Sequence, residues 1–288
     1  MKLLDGKKLA DEIKEDLQDE VAVLKALGKT VRLAVIQVGN DPASSVYVKN
    51  KQKACEYCGI ESSVYHVIDD AANPDTVMGE ILFLINRLNN DINVNGILVQ
   101  LPLPDYIDER AVLSWISPEK DVDGFHEVNA GKLMIGSEDA FVPCPARGII
   151  EQLKANDVEL EGKHCVVVGR SNIVGKPVAM ELLRENATVT VCHSKTHGLK
   201  YICRDADVLI CAIGRAKFFN RKYIRPGVVI VEVGIHRDPD TGKLCGDVDY
   251  EDVVDMVDAI TPVPGGVGPM TVAMLMANVV EAAKREEG

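Results

Sequence analysis

Disulfide-dense cysteine, long apolar runs, an excess of basic charge and a strict dinucleotide fingerprint are all missing from this 288-residue chain. Its eight cysteines are too dilute for a disulfide scaffold. Most stand in apolar stretches, such as Cys165 in HCVVVG and Cys211 in VLICAIG, and read as buried thiols. Cys55 and Cys58 have CxxC spacing, but no second CxxC accompanies them, so a structural reading stands ahead of a redox or zinc one. No apolar run approaches the roughly 18 residues of a membrane span. The opening MKLLDGKKLADEIKEDL reads as a charged amphipathic helix, not a signal or transit peptide, which points to the cytosol. Lysine and arginine number 32 against 44 aspartate and glutamate, a formal charge of −12, and that balance disfavours a nucleic-acid partner. Internal repeats, low-complexity tracts and long linkers are also absent.

What is present is an ordinary globular composition, 47% apolar and 26% charged, over a length that suits roughly two domains at about 150 residues each. Short β-rich runs alternate with helical segments from end to end, the pattern of an α/β fold with mainly parallel strands. VRLAVIQVG (31–39) leads through the turn-rich GNDPASS into a helix that Gly59 closes. A strand near 63–68, a helix launched from Asn73-Pro74-Asp75 and the strand NGILVQL (95–101) follow. From Pro118 to about Pro145 the rhythm breaks, and a domain boundary is placed there. The remainder reads helix, strand 164–169, helix 174–185, strand 187–192, helix near 198–204, then strands in ADVLICAIG, PGVVIVEVGI and DAITPV, and a last helix from Pro269 to about Arg285. This is a Rossmann-like order. The expected architecture is an N-terminal α/β substrate domain, 1–142, and a Rossmann-like domain, 143–268, with a cleft between them.

CVVVGRSNIVGKPVA joins a buried strand to a helix start by a tight turn, where backbone N–H groups and a helix dipole can receive a pyrophosphate. Gly169 and Gly175 are present, but Ser171 stands where the second glycine of GxGxxG belongs. A purely structural strand–helix corner has the same look, and only the flanking strand–helix–strand context favours a nucleotide. The next strand ends Cys192-His193-Ser194-Lys195-Thr196 with no carboxylate to hold a ribose 2′-OH. With Arg170 at the first turn, that chemistry favours NADP over NAD.

In the first half, Tyr47 and Lys51 are four residues apart and project from one helix face. Lysines in a run such as Lys49, Lys51 and Lys53 usually lie on a solvated face, and periodicity alone favours that reading for Lys51 too. Gln100 ends an apolar strand just before Pro102 and Pro104, where a polar side chain can reach a ligand. Asp121 and Asp123 sit in the loop PEKDVDGFH, which could be turn chemistry alone. TPVPGGVGPMT (261–271) is either a rigid helix entry or a backbone wall for a flat ligand.

YVKNKQKACEYCGI, GILVQLPLP, PEKDVDGFH, GRSNIVGKP, HSKT and ITPVPGGVGPMTVA occur in this order and span essentially the whole chain. Together they resemble the motifs of the bifunctional methylenetetrahydrofolate dehydrogenase/methenyltetrahydrofolate cyclohydrolase family. The resemblance implies NADP-dependent oxidation of 5,10-methylenetetrahydrofolate, hydrolysis of the product to 10-formyltetrahydrofolate, service to purine biosynthesis, a homodimer formed through the cofactor domains and a C-terminal helix, about 269–288, that returns to join the first domain. Motif by motif, it makes Lys51 the essential active-site lysine, Tyr47 the ring that stacks on the folate, Gln100 the hydrogen-bonding partner of the lysine and Asp123 the anchor of the pterin. Val99 and Leu101 flank Gln100 as substrate contacts. Pro264, Gly265, Gly268, Pro269 and Thr271 become the wall of the folate site. Gly169, Arg170, Ser171 and Ser194 become cofactor contacts, with Arg170 and Ser194 at the 2′-phosphate, and Ile235 a nicotinamide-side contact. No metal is implied.

Three positions depart from the pattern: Pro145-Ala146 stands where Thr-Pro is common, Glu232 where Asp is common, and His236 where Asn is common. Competing readings are a dehydrogenase without cyclohydrolase activity, which intact Lys51 and Gln100 oppose, and a shikimate dehydrogenase-like enzyme, which the PEKDVDG loop opposes. A catalytically silent folate- or nucleotide-binding module is the third.

Overall fold

The computed structural model describes residues 1–238 and 241–285. The chain opens with β1 (Lys2–Leu3) and α1 (Gly6–Ala26), then alternates β2 (Arg32–Val38), α2 (Pro42–Cys58), β3 (Glu61–Val67), α3 (Pro74–Asn89) and β4 (Gly96–Val99). Two short helices follow, α4 (Glu109–Ser114) and α5 (Glu127–Met134). A second alternation runs through α6 (Cys144–Ala155), β5 (His164–Val168), α7 (Gly175–Arg184), β6 (Thr188–Cys192), α8 (Leu199–Arg204), β7 (Val208–Cys211) and β8 (Val229–Glu232). The chain closes with a hairpin of β9 (His236–Arg237) and β10 (Leu244–Cys245), α9 (Tyr250–Val253), β11 (Ala259–Ile260) and α10 (Val267–Arg285).

Two compact units result. One comprises Glu12–Cys144 and the chain from Val272, the other Met1–Asp11 and Pro145–Thr271. The last three residues of the 269–288 segment lie outside the described residues.

The first unit is built on a parallel three-stranded sheet ordered β3-β2-β4. β2, the central strand, is buried on both faces, as its run of Leu33, Val35, Ile36 and Val38 demands. β4 is shorter than the 95–101 span read from the sequence. Gln100 still donates its N–H to the Ile36 carbonyl at 2.8 Å, but Pro102 has no N–H to continue the ladder. Val77, Ile81, Ile85 and Leu88 of α3 pack with Ile36 and Ile97 in one core.

The second unit carries a parallel six-stranded sheet ordered β1-β11-β8-β7-β5-β6. The strand order reverses between β5 and β7, because the chain runs from β5 outward to β6 and then returns to the other side of β5. A crevice at the carboxyl ends of strands opens at such a switch point. The opening segment is not helix alone: Lys2 and Leu4 donate backbone hydrogen bonds to Asp258 and Ile260, and Asp5 caps the helix by accepting from the Lys8 N–H. Two strand residues are too few for a periodic signal.

Candidate active site

Asp41 accepts from the Ser44 N–H at 2.7 Å and Pro42 occupies the first turn of α2, so this helix starts directly after β2. Gly59 closes it in the left-handed conformation, φ 75°. On α2 Tyr47 is half exposed and Lys51 partly buried, whereas Lys49 and Lys53 are exposed. The solvated-face reading thus describes Lys49 and Lys53 but not Lys51.

Gln100 gives Lys51 its place. The buried Gln100 side chain donates from Nε2 to the Leu101 carbonyl at 2.6 Å, which turns Oε1 toward Lys51 to accept from Nζ at 3.2 Å. Val99 lies in the core beneath, paired with Ile36, and half-buried Leu101 continues past Gln100.

The DVDG loop is laid along β4: Ile97 donates to the Lys120 carbonyl at 2.8 Å and bridges to Asp121. Buried Asp121 accepts from the N–H groups of Phe125 and His126 and from Asn129 Nδ2, so it is the turn residue of the pair. Asp123, two residues on, has the Cys144 thiol as a side-chain hydrogen-bond partner instead. Burial pushes the half-buried Asp123 carboxyl above the ordinary aspartate range, while the positive charge of Lys51 draws it back in part. Gly124 takes φ 74°, and a Cβ there would stand 2.6 Å from the Phe141 carbonyl oxygen, so only glycine fits this close approach. Asn278 Nδ2 and Cys144 Sγ both donate to the Val122 carbonyl, pinning the residue before Asp123.

Cys55 and Cys58 are free and buried, and burial pushes their thiols up to about 12 and about 11. Neither has the depressed value of a reactive cysteine.

In the second unit, Gly169 follows β5 with φ 136°, and a Cβ on it would lie 2.3 Å from the Ala212 oxygen at the end of β7. A Cβ on Gly175 would lie 2.4 Å from the Gly169 oxygen. The turn is thereby sealed tight against the switch point, and Ser171 Oγ accepts from the N–H groups of Val174 and Gly175 at the start of α7. Cys192 pairs with Val168, so Arg170 and Ser194 leave adjacent strands at the same sheet end. Arg170, Ser194 and Lys195 are all exposed there. A cradle of glycines, a helix start and two exposed cations at one sheet end fit an anionic nucleotide with a further phosphate.

The PGGVGP segment also belongs to this unit. The Gly265 carbonyl accepts from the Lys7 N–H at 2.9 Å, and a Cβ on Gly6 would meet the Gly266 oxygen at 2.1 Å. Pro264 stays exposed and Gly265, Gly268, Pro269 and Thr271 keep part of their surface open. α10 starts at Val267, two residues earlier than the sequence suggested, and Thr271 bonds back to the Val267 carbonyl within it. A Cβ on Gly268 would stand 3.7 Å from Ile235 Cδ1, so the two sit side by side.

Sequence reading missed the buried acid pair near Ile235. Glu232 accepts from the N–H groups of Gly234 and Val248, and Asp247 accepts from those of Ile213, Gly214 and Arg215. Burial, with the charge of Asp247 adding to it, raises the Glu232 carboxyl to about 7. Two of the three departures, Glu232 and His236, meet at this one cluster, since His236 Nε2 lies 2.8 Å from Asp247 Oδ1. An aspartate inside the otherwise uncharged run CGDV was the available signal, as was Asn278 alone in the apolar AMLMANVV.

Sheet order, sealed turn and cationic strand ends define an α/β nucleotide-binding protein with a second, lysine-centred α/β unit. The chain belongs to the tetrahydrofolate dehydrogenase/cyclohydrolase family: residues 4–123 match its catalytic domain and residues 143–287 its NAD(P)-binding domain. It is 57% identical over 283 residues to the bifunctional protein FolD of Lachnoclostridium phytofermentans, covering 98% of each chain. The crystal structure of the bifunctional FolD dehydrogenase/cyclohydrolase from Campylobacter jejuni is 50% identical with a TM-score of 0.95, covering 99% of both chains. The Trypanosoma brucei FolD structure, complexed with NADP and an inhibitor, is 37% identical with a TM-score of 0.91, covering 99% of this chain and 97% of that one.

Proposed function

We propose that this chain oxidises 5,10-methylenetetrahydrofolate to the 5,10-methenyl form with NADP and then hydrolyses that product to 10-formyltetrahydrofolate. The observation that carries the reading is the Lys51–Gln100 hydrogen bond beside Asp123, held by the same motifs that resemble the bifunctional family. A dehydrogenase alone has less use for it.

NADP, when bound, supplies the hydride acceptor. Gly169, Ser171 and the start of α7 receive its pyrophosphate, and Arg170 and Ser194 hold its 2′-phosphate. Tyr47 offers a ring face to the pterin, and Asp123 accepts hydrogen bonds from the pterin amino and ring N–H groups. Hydride leaves the carbon between N5 and N10 as a resonance-stabilised cation, so the protein need only orient the reactants, and no strong base is required. Gln100 and Leu101, backed by Val99 in the core, and the partly open segment of Pro264, Gly265, Gly268, Pro269 and Thr271 are the further folate contacts in this reading. Ile235 lies at the nicotinamide end.

Hydrolysis needs proton transfer. Lys51, oriented by Gln100, holds the attacking water by hydrogen bond; addition of water to the cation releases one proton to solvent, and as the C–N5 bond opens the hydroxyl proton of the adduct is relayed to N5. Purified protein given 5,10-methenyltetrahydrofolate without nucleotide tests this step: decay well above the uncatalysed rate supports it, and decay at that rate contradicts it.

The eight free cysteines fit a reducing, cytosolic setting. A homodimer through the nucleotide units is supported by the edge position of β6, where Val191 is exposed. A product carrying a formyl group suits purine biosynthesis.

A further inference from the structure

Asp247 is the meeting point of two loops of the nucleotide unit. It is fully buried and accepts from the N–H groups of Ile213 at 2.7 Å, Gly214 at 3.1 Å and Arg215 at 2.7 Å, with His236 Nε2 at 2.8 Å as a fourth partner. Gly214, at φ 69°, curls the loop so that successive N–H groups converge on one anion. A Cβ on Gly234 would stand 2.4 Å from Asp247 Oδ1, so the chain leading to Ile235 runs directly against the carboxylate. Since the backbone N–H groups occupy the acceptor from one side, His236 must carry its hydrogen on Nε2 to donate from the other.

Both loops border the cofactor end of the sheet. The 213–215 loop leaves β7 at Ala212, whose oxygen seals the Gly169 turn. Ile235 precedes His236 and touches the position of Gly268. Without the imidazole, Asp247 would still hold 213–215, and among the described residues the 235–236 segment would keep only the backbone pairing of His236 with Cys245, with no side-chain tie to the carboxylate itself.

We propose that His236 is a positioning residue for hydride transfer: by donating to Asp247 it fixes Ile235 against the 213–215 loop and so shapes the seat of the nicotinamide end of NADP. His236 itself touches no reacting atom. The assignment rests on the reading of Ile235 as a nicotinamide-side contact.

The test compares full-length His236→Leu, His236→Gln and Ile235→Ala for NADP kinetics in the dehydrogenase reaction and, separately, for nucleotide-free hydrolysis of 5,10-methenyltetrahydrofolate. His236→Leu is expected to lower kcat/KM for NADP about tenfold, the size of one lost charge-assisted hydrogen bond, with hydrolysis unchanged. His236→Gln, which keeps a donor at similar reach, restores most of the loss. His236→Ala replaces the leucine variant if that protein does not fold. Unaltered NADP kinetics in His236→Leu beside impaired Ile235→Ala overturns the positioning role alone. Unaltered kinetics in both overturns the reading of Ile235 and the inference with it, and equal loss in His236→Leu and His236→Gln also overturns it.

Discussion

Lys51 of α2 donates a hydrogen bond to Gln100 beyond the end of β4 across 3.2 Å, although 49 residues separate them in the chain. The parallel pairing of β2 with β4 produces that proximity, because α2 follows one strand and Gln100 follows the other at the same end of the sheet. An ammonium that donates one hydrogen to a neutral carboxamide has two further hydrogens for a ligand.

Lys51→Met should therefore cut hydrolysis of 5,10-methenyltetrahydrofolate by about 10²–10⁴-fold, the usual weight of a positioned proton-transfer group. NADPH formation should fall far less, since hydride transfer needs no base. Equal loss of both activities would point to a collapsed site instead, and circular dichroism of the variant separates that outcome.

Asp123→Ala should weaken folate binding by about 10–100-fold, as expected when a carboxylate that accepts from a ligand is removed. Titration calorimetry with tetrahydrofolate reads the change directly. NADP affinity should stay the same, and an unaltered folate affinity would refute the pterin-anchor role.

Arg170→Ala should lower kcat/KM for NADP by about 10-fold or more while leaving the NAD reaction nearly unaffected, because only the former offers a 2′-phosphate to a guanidinium. Parallel assays with the two nucleotides give the ratio. A uniform loss with both would place Arg170 at the pyrophosphate or in the turn itself.

Glu232 makes a prediction about pH. Its folded-state value of about 7 lies above the ordinary 4.5, so the folded protein retains a proton that the unfolded chain releases between those limits. Stability should fall as pH rises through about 4.5 to 7 and level off above, with the Asp247 carboxylate and His236 as the neighbouring titratable groups. Melting temperatures at intervals across that range should decline by several degrees, and Glu232→Gln should flatten the profile whatever its absolute stability. A variant with the wild-type slope would show that another group carries it.

Much of this was legible in the sequence because the long elements announce themselves by composition: VRLAVIQVG, HCVVVG and ADVLICAIG are buried strands, and Gly59 stops α2 where it should. The short ones were not. β1 has two residues inside a charged segment, the β9–β10 hairpin has two per strand, and α5 is an eight-residue helix whose cap is a histidine, His126, in a stretch rich in loop formers. Lys51 could not be separated from Lys49 and Lys53 by periodicity, since what distinguishes it is Gln100, a partner on another element. Asp247 was hidden for the same reason: its importance lies in three backbone N–H groups more than thirty residues away.

The central claim is tested most directly by one spectrophotometric experiment in which purified protein receives 5,10-methylenetetrahydrofolate and NADP, with NAD and no-nucleotide controls, and NADPH and the methenyl product are followed together. Rapid NADPH formation with little methenyl accumulation, and much slower turnover with NAD, is the predicted result. Methenyl accumulating in step with NADPH would contradict the hydrolytic role of Lys51, and no NADPH despite folate binding would contradict the enzyme itself.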